Sequence, residues 1–157
     1  MRRWATVVIA AALSACASGG KGTPMLAAPS LENTPFNSTL DVDFSTMTKL
    51  PSGMYYKDLE LGSGPVVQAR NEVKVHYTGW LSNGTRFDQN KESDEPISVP
   101  LGRGAAIEGW DKGVPGMRVG GRRQLVIPPS LGYGSNRRGA IPPDAVLVFV
   151  LTVVSAK

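Results

Sequence analysis

His76 is the single histidine of this 157-residue chain, and Cys16 is its single cysteine. Residues 73–78 alternate apolar and polar side chains, which predicts a β-strand with His76 on the face opposite Tyr77. No serine or cysteine motif typical of nucleophilic catalysis surrounds His76. Cys16 lies at the end of an N-terminal leader, which excludes a Cys/His pair. We therefore expect His76 to be a hydrogen-bonded structural residue.

The sequence also argues against several other kinds of chemistry. One cysteine cannot form an intramolecular disulfide, and no metal-ligand spacing is present. Gly102-Arg103-Gly104 lacks the third glycine of a dinucleotide-binding loop. The formal net charge is +4, of which Arg2 and Arg3 contribute two, and we interpret the pairs Arg122-Arg123 and Arg137-Arg138 as solvated strand and loop residues. We expect no cofactor, no metal and no nucleic-acid partner.

An aromatic and aliphatic set remains as the candidate for function. Its members are Tyr77, Phe87, Ile97, Val99, Ile107, Trp110, Tyr133, Ile141 and Phe149. Periodicity alone leaves two interpretations of this set open, because the same residues could form an ordinary core or line an apolar pocket.

One helix and several strands must position this set. Residues 104–114 place Ile107, Trp110 and Val114 on one face of a helix of two to three turns, and Gly113 and Pro115 end it. Asn83-Gly84 predicts a tight hairpin that brings Tyr77 and Phe87 near each other. Further strands are predicted at 97–99, 122–127 and 146–154, and residues 130–143 form a long loop. The fold class is α+β, with a sheet curved over one short helix.

The N-terminal 46 residues differ in composition from the rest. A basic start and an apolar run over residues 5–15 fit a secretory signal peptide, and Leu13-Ser14-Ala15-Cys16 resembles the lipobox of bacterial lipoproteins. The alternative is an ordinary signal peptide with an incidental cysteine. We expect a signal peptide at 1–15, a lipidated Cys16 with a flexible linker at 16–46, and one domain at 47–157. Such a protein is lipid-anchored in the cell envelope, and Ala17-Ser18 favours the outer membrane.

The folded region resembles FKBP-type peptidyl-prolyl isomerases. The resemblance covers residues 50–157 and includes these motifs in the family order: Val75-His76-Tyr77-Thr78-Gly79-Trp80-Leu81, Asn83-Gly84, Phe87-Asp88, Pro100-Leu101-Gly102, Gly109-Trp110, Ile127-Pro128-Pro129, Gly132-Tyr133-Gly134, Ile141-Pro142-Pro143 and Leu147-Val148-Phe149. It implies a curved antiparallel half-barrel over the helix, with a pocket that binds proline-containing polypeptides and macrolides of the tacrolimus and rapamycin type.

The resemblance also implies roles for individual residues. Trp110 is the pocket floor, Tyr133 donates a hydrogen bond to substrate, and Asp88 orients Tyr77 and the substrate amide, although a purely structural Asp88 stays an alternative. The implied substrate-binding residues are Tyr77, Phe87, Ile97, Val99, Ala106, Ile107, Ile141 and Phe149.

The sequence departs from the commonest family pattern at the pocket wall and the rim. Ile97 and Val99 replace frequent phenylalanines, Ser93 stands where some members have arginine, and Asn136-Arg137-Arg138-Gly139 makes the rim loop basic. These departures leave a second function open: a surface peptide-binding or chaperone module whose isomerase activity is incidental. The first hypothesis is an exported isomerase that assists protein folding.

Overall fold

The computed structural model describes residues 30–157. Within them lie one α-helix, α1 (Glu108–Gly113), and 3₁₀ helices at Leu31–Asn33, Ser38–Leu40, Phe44–Thr46 and Pro129–Leu131. The strands are β1 (Thr48–Lys49), β2 (Tyr55–Glu60), β3 (Glu72–Leu81), β4 (Arg86–Asn90), β5 (Ile97–Pro100), β6 (Arg122–Ile127) and β7 (Leu147–Ala156). None of the helices in this part of the chain is long and apolar enough to cross a bilayer.

The strands form one open antiparallel sheet in the order β1-β2-β6-β7-β3-β4. The ten-residue strands β3 and β7 are its centre and pair from Val73↔Ala156 to Leu81↔Leu147. On the other side of β3, β5 pairs with its first half and β4 with its second half. The two edges are therefore the two-residue β1 and the pair β4 and β5. The predicted α+β fold, an antiparallel sheet over one short helix, is confirmed.

Helix α1 is shorter than the predicted helix over residues 104–114. Ile107 is extended, with φ −64° and ψ 151°, and Gly104 has φ +70°, which a right-handed helix does not allow. The six-residue helix packs closely against β6. A Cβ atom at Gly109 would lie 2.7 Å from the Ile127 side chain, and one at Gly113 would lie 2.8 Å from that of Leu125. Because so short a helix is unstable alone, β6 must hold it in place.

Arg123 of β6 joins this helix to the sheet. Its side chain is 5% exposed, so the interpretation of Arg122-Arg123 as two solvated residues is wrong for Arg123. The guanidinium donates to both carboxylate oxygens of Asp58 on β2, at 2.6 and 3.0 Å, and Nη1 donates to the carbonyl oxygen of Gly113 at 2.9 Å. It also lies 4.1 Å from the ring centroid of Tyr56. Arg123 thus binds one of the carbonyls that the end of α1 leaves without a helical partner.

Residues 30–47, which we call the N-terminal arm, cover the outer face of the sheet, opposite α1. Leu31 and Leu40 are 4% and 6% exposed and form a second apolar cluster with Tyr55, Val126 and Val148. The arm is also hydrogen-bonded to the sheet, because Gln124 Nε2 donates to the Leu40 carbonyl oxygen at 2.6 Å. The predicted flexible linker is therefore wrong for residues 30–46, which fold as part of the domain. Residues 1–29, including the predicted signal peptide and Cys16, lie outside the described residues.

Truncating Leu40 tests the packing of the arm. Leu40→Ala is expected to lower the free energy of unfolding by about 2–5 kcal/mol, because it removes buried methyl groups and leaves a cavity. Denaturant titration of the full chain measures this effect. Leu61→Ala is the matched control, since Leu61 is 82% exposed and its truncation is expected to change stability by about 0.5 kcal/mol or less. Equal stability of Leu40→Ala and the wild type would contradict the packed arm.

Candidate functional site

An aromatic cluster lies between α1 and the inner face of the sheet. Trp110 of α1 is 5% exposed and makes edge contacts with Tyr77 of β3 and Phe149 of β7, at centroid distances of 5.1 and 5.5 Å. Phe87 of β4 makes a similar contact with Phe149 at 5.5 Å. Edge-to-face contacts of this kind fix ring orientations. The four rings form the bottom and one wall of a pocket.

The pocket has a volume of about 160 Å³ and is lined by Tyr77, Phe87, Asp88, Ile97, Val99, Ala105, Ala106, Ile107, Trp110, Tyr133 and Phe149. An engineered apolar cavity of about 150 Å³ binds benzene, so the space accommodates the smaller ring of a proline residue. Asp88 is the only acidic residue among the lining side chains. The site is therefore an apolar pocket with one carboxylate and two tyrosine hydroxyl groups at its wall and rim.

All but one of the residues that the sequence proposed for this site line the pocket. Ile141 is the exception: it is 6% exposed, lies in the main core cluster and is not among the lining residues. Its backbone instead closes the rim loop by two hydrogen bonds with Arg138. Ala105 lines the pocket but was not predicted, since an alanine beside Ala106 carries no chemical or periodic signal.

Gly79 of β3 is a second residue that sequence reasoning did not assign to the site. A Cβ atom there would lie 2.7 Å from both the Phe149 and the Phe87 rings. Glycine is therefore required for the Phe87 and Phe149 rings to pack against the backbone of β3. A glycine inside an alternating strand is the signal that could have indicated such a close approach.

Tyr77 and Asp88 are joined by a hydrogen bond across neighbouring strands. The Tyr77 hydroxyl donates to Asp88 Oδ2 at 2.7 Å, and the backbone N–H of Gln89 donates to Asp88 Oδ1 at 2.8 Å. Burial raises the pKa of Tyr77 well above its ordinary value of 10.0, and the hydrogen bond to Asp88 and the negative charge of Asp88 raise it further. Tyr77 therefore stays a neutral hydrogen-bond donor at physiological pH.

This predicts the titration behaviour of Tyr77. In the folded protein its phenol is expected to ionise at a higher pH than a free tyrosine, which has a pKa of about 10. Asp88→Asn should lower the pKa of Tyr77 but leave it above 10.0, because burial, the largest cause, remains. The raised pKa stabilises the fold below about pH 10, and this contribution is lost as the pH rises through the folded-state pKa. Ultraviolet difference titration against Tyr77→Phe measures it, and an unshifted Tyr77 would contradict it.

His76 does not contribute to the pocket. His76 is not among the lining residues, and its Nδ1 lies 2.9 Å from Asn90 Oδ1, which agrees with the expected structural histidine. Cys16 lies outside residues 30–157. Within those residues no cluster of three or more histidine, cysteine, aspartate and glutamate side chains could hold a metal ion.

Comparison with known proteins gives the family of this chain. Residues 64–154, more than half of the sequence, match the family model described as FKBP-type peptidyl-prolyl cis-trans isomerase. The chain belongs to this family. The resemblance seen in the motifs is thereby confirmed for the domain, and the activity is that of a peptidyl-prolyl cis-trans isomerase.

Individual relatives agree with this assignment. An FK506-binding protein of Neisseria meningitidis serogroup B is 46% identical over 98 residues, which cover 62% of this chain and 90% of the relative. The crystal structure of AtFKBP13 is similar with a TM-score of 0.65 and 35% identity, covering 71% of this chain and 98% of that one. The crystal structure of FkpA from Escherichia coli is similar with a TM-score of 0.67 and 32% identity, covering 76% of this chain and 55% of that one. The residues that match the family model, 64–154, include α1, strands β3 to β6 and every residue that lines the pocket.

Proposed function

We propose that X–Pro bonds rotate in the pocket above Trp110, and that the protein is an exported isomerase that assists folding outside the cytoplasm. The observation that carries the first part is the pocket itself, an aromatic cavity of about 160 Å³ with Asp88 as its one acidic side chain. Rotation about an X–Pro bond crosses a barrier of about 18–20 kcal/mol because the planar amide loses its resonance. No proton transfer or covalent step is needed, so an apolar pocket is sufficient.

The pocket lowers this barrier by fitting the twisted amide better than either planar form. The proline ring packs on Trp110, and the backbone N–H of Ile107 and the hydroxyl of Tyr133 bind substrate carbonyl groups. Burial of the amide also removes water molecules that stabilise its planar, charge-separated form. Asp88, held by Tyr77 at 2.7 Å, supplies a fixed negative charge beside the twisting bond.

The test is the relaxation of a cis X–Pro peptide with the full chain. The wild type should exceed the uncatalysed rate, which corresponds to tens of seconds or more. Asp88→Ala should lower kcat/KM by about tenfold, since it removes the fixed charge beside the twisting bond, and an electrostatic contribution of about 1.4 kcal/mol corresponds to a factor of ten in rate. Glu60→Ala is a control, because Glu60 is an exposed carboxylate on β2 that pairs with Arg122 and does not line the pocket. A wild-type rate equal to that of buffer would disprove the proposal.

The export and anchoring part rests on the leader. A lipidated Cys16 would hold the domain to a membrane by burial of acyl chains, at about 0.8 kcal/mol per methylene group. We place the protein in the cell envelope, at the outer membrane. Labelling with an alkyne fatty acid in a bacterial host should mark the wild type but not Cys16→Ser, and only the wild type should sediment with membranes. Labelling of neither protein would contradict the anchor.

Macrolide binding is the remaining part of the proposal. Relatives carry the name FK506-binding protein, and the same pocket offers tacrolimus and rapamycin an apolar site. Because Ile97 and Val99 give it an aliphatic wall, the affinity should be lower than that of a relative with aromatic residues there. Inhibition of the isomerase assay measures it, and equal affinity would contradict the role of these two residues.

The peptide-binding or chaperone function is the second candidate, favoured by the basic rim loop and the aliphatic wall. It predicts that the protein suppresses aggregation of an unfolded client without proline. Retention of this effect in Trp110→Ala would separate it from isomerase activity, and its absence in the wild type would reject it.

A further inference from the structure

Arg138 lies against a residue of the pocket rim. Its guanidinium carbon is 5.0 Å from the ring centroid of Tyr133, which lines the pocket. The backbone around it is fixed, because the N–H of Arg138 donates to the carbonyl of Ile141 at 3.0 Å and the N–H of Ile141 donates back at 2.9 Å. The Asp144 N–H closes the base of the loop on the Gly134 carbonyl at 2.8 Å. Arg138 is therefore held at the mouth of the pocket by its backbone and by its ring contact.

The arginines near this rim form no ion pair within residues 30–157. Four ion pairs occur there, and none of them involves Arg138, Arg137 or Arg103, all of which are exposed. Arg103 lies two residues before Ala105, which lines the pocket. The one carboxylate in the pocket, Asp88, already accepts hydrogen bonds at both oxygens.

Negative charge lies on a different segment, the connection between β4 and β5. Glu92, Asp94 and Glu95 are exposed on the connection between β4 and β5, shortly before Ile97, which lines the pocket. Asp94 accepts hydrogen bonds from within its own turn, from the Lys91 N–H and from Ser93 Oγ. The basic residues and these acidic residues therefore lie on different connections, each of which leads to a lining residue.

We propose that the basic rim loop selects substrates in which an acidic residue is next to the proline. A guanidinium that stacks on an aromatic ring keeps its N–H groups free at the edge, where they can bind a carboxylate in a bidentate manner. Because Arg138 lies over the Tyr133 ring, that edge is beside the residue whose hydroxyl binds a substrate carbonyl group. Because the Tyr133 ring and the backbone hydrogen bonds already restrict Arg138, binding of a carboxylate orders few further rotatable bonds of this side chain. This inference rests on the proposed function of the pocket.

The test compares peptides that differ only in charge. Two series, Ala-X-Pro-Phe and Ala-Ala-Pro-X, with X as glutamate, glutamine or lysine, cover both sides of the proline. With the full chain, kcat/KM for glutamate should exceed that for glutamine by about three- to fivefold in at least one series, the range expected of a partly exposed ion pair. The ratio should fall towards one at about 1 M salt, where the screening length is about 3 Å. Equal values for glutamate and glutamine in both series would overturn the proposal.

Variants assign the effect to Arg138. Arg138→Gln should bring the glutamate-to-glutamine ratio close to one, and Arg138→Glu should make lysine the better substrate. Arg122→Gln is the matched control, because Arg122 is an exposed arginine that does not line the pocket, and it should keep both the ratio and the rates. A preference for glutamate that survives in Arg138→Glu would overturn the assignment. The glutamine peptides report separately on isomerase activity: catalysis without charge preference rejects only this inference, whereas no catalysis of any peptide rejects the proposed function.

Discussion

Trp110→Ala is expected to lower kcat/KM for an X–Pro peptide by about 50-fold. A proline ring presents three methylene groups to the Trp110 ring, and their burial is worth about 0.8 kcal/mol each, or about 2.4 kcal/mol together. A loss of about 1.4 kcal/mol corresponds to a factor of ten in rate. The effect is large because Trp110 is the only residue of α1 that contributes an aromatic ring to the pocket.

This experiment needs a control for folding. Trp110 is 5% exposed and contacts Tyr77 and Phe149, so its truncation should also cost about 3–5 kcal/mol of stability. Trp110→Phe retains a ring and should keep both the fold and part of the activity. Trp80→Ala removes a tryptophan from the outer face, where it packs with the N-terminal arm, and should leave kcat/KM unchanged. A folded Trp110→Ala variant with wild-type kcat/KM would show that Trp110 is not the pocket floor.

Arg123→Met is expected to lower the free energy of unfolding by about 3–5 kcal/mol. The substitution leaves the Asp58 carboxylate, 30% exposed, without its cation and leaves the Gly113 carbonyl oxygen without its donor. Removal of one partner from a buried ion pair has this cost because the other charge stays poorly solvated. Denaturant titration with a constant m-value measures the change.

Arg122→Met is the control for this substitution, in the same strand and of the same chemistry. Arg122 has a side chain that is 46% exposed, and it lies 3.9 Å from Glu60, so its loss should change stability by about 0.5 kcal/mol or less. The double variant Asp58→Leu with Arg123→Met should be more stable than the sum of the two single effects implies, because it leaves no unpaired charge. Equal effects of Arg122→Met and Arg123→Met would contradict the buried ion pair.

The features that the sequence predicted are those with a local cause. Asn83-Gly84 defines the hairpin because glycine adopts the positive φ of the turn, here +88° at Gly84. The apolar run that forms most of β7 predicts a central strand whatever the order of the strands in the sheet. Most of the pocket residues were found because they belong to family motifs whose order the chain preserves.

The features that the sequence did not predict have causes distant along the chain. Arg123 is buried because it pairs with Asp58, which lies 65 residues earlier in the chain. The local sequence around either residue gives no indication of the other. The arm is rich in polar and turn residues. Leu31 and Leu40 follow no regular period because they lie in two separate short 3₁₀ helices. Only the apolar outer face around Val126 and Val148 makes their burial favourable. Composition measures what a segment contains and not what surface it meets.

The interrupted edges of the sheet matter for a protein whose proposed substrates are unfolded chains. A long free edge offers N–H and C=O groups to which an extended polypeptide can add as another strand, and such addition leads to aggregation. Here one edge ends in a two-residue strand that carries Lys49, and the other is divided between β4 and β5 by a charged turn. A client segment can therefore enter the pocket and leave it again without becoming part of the sheet.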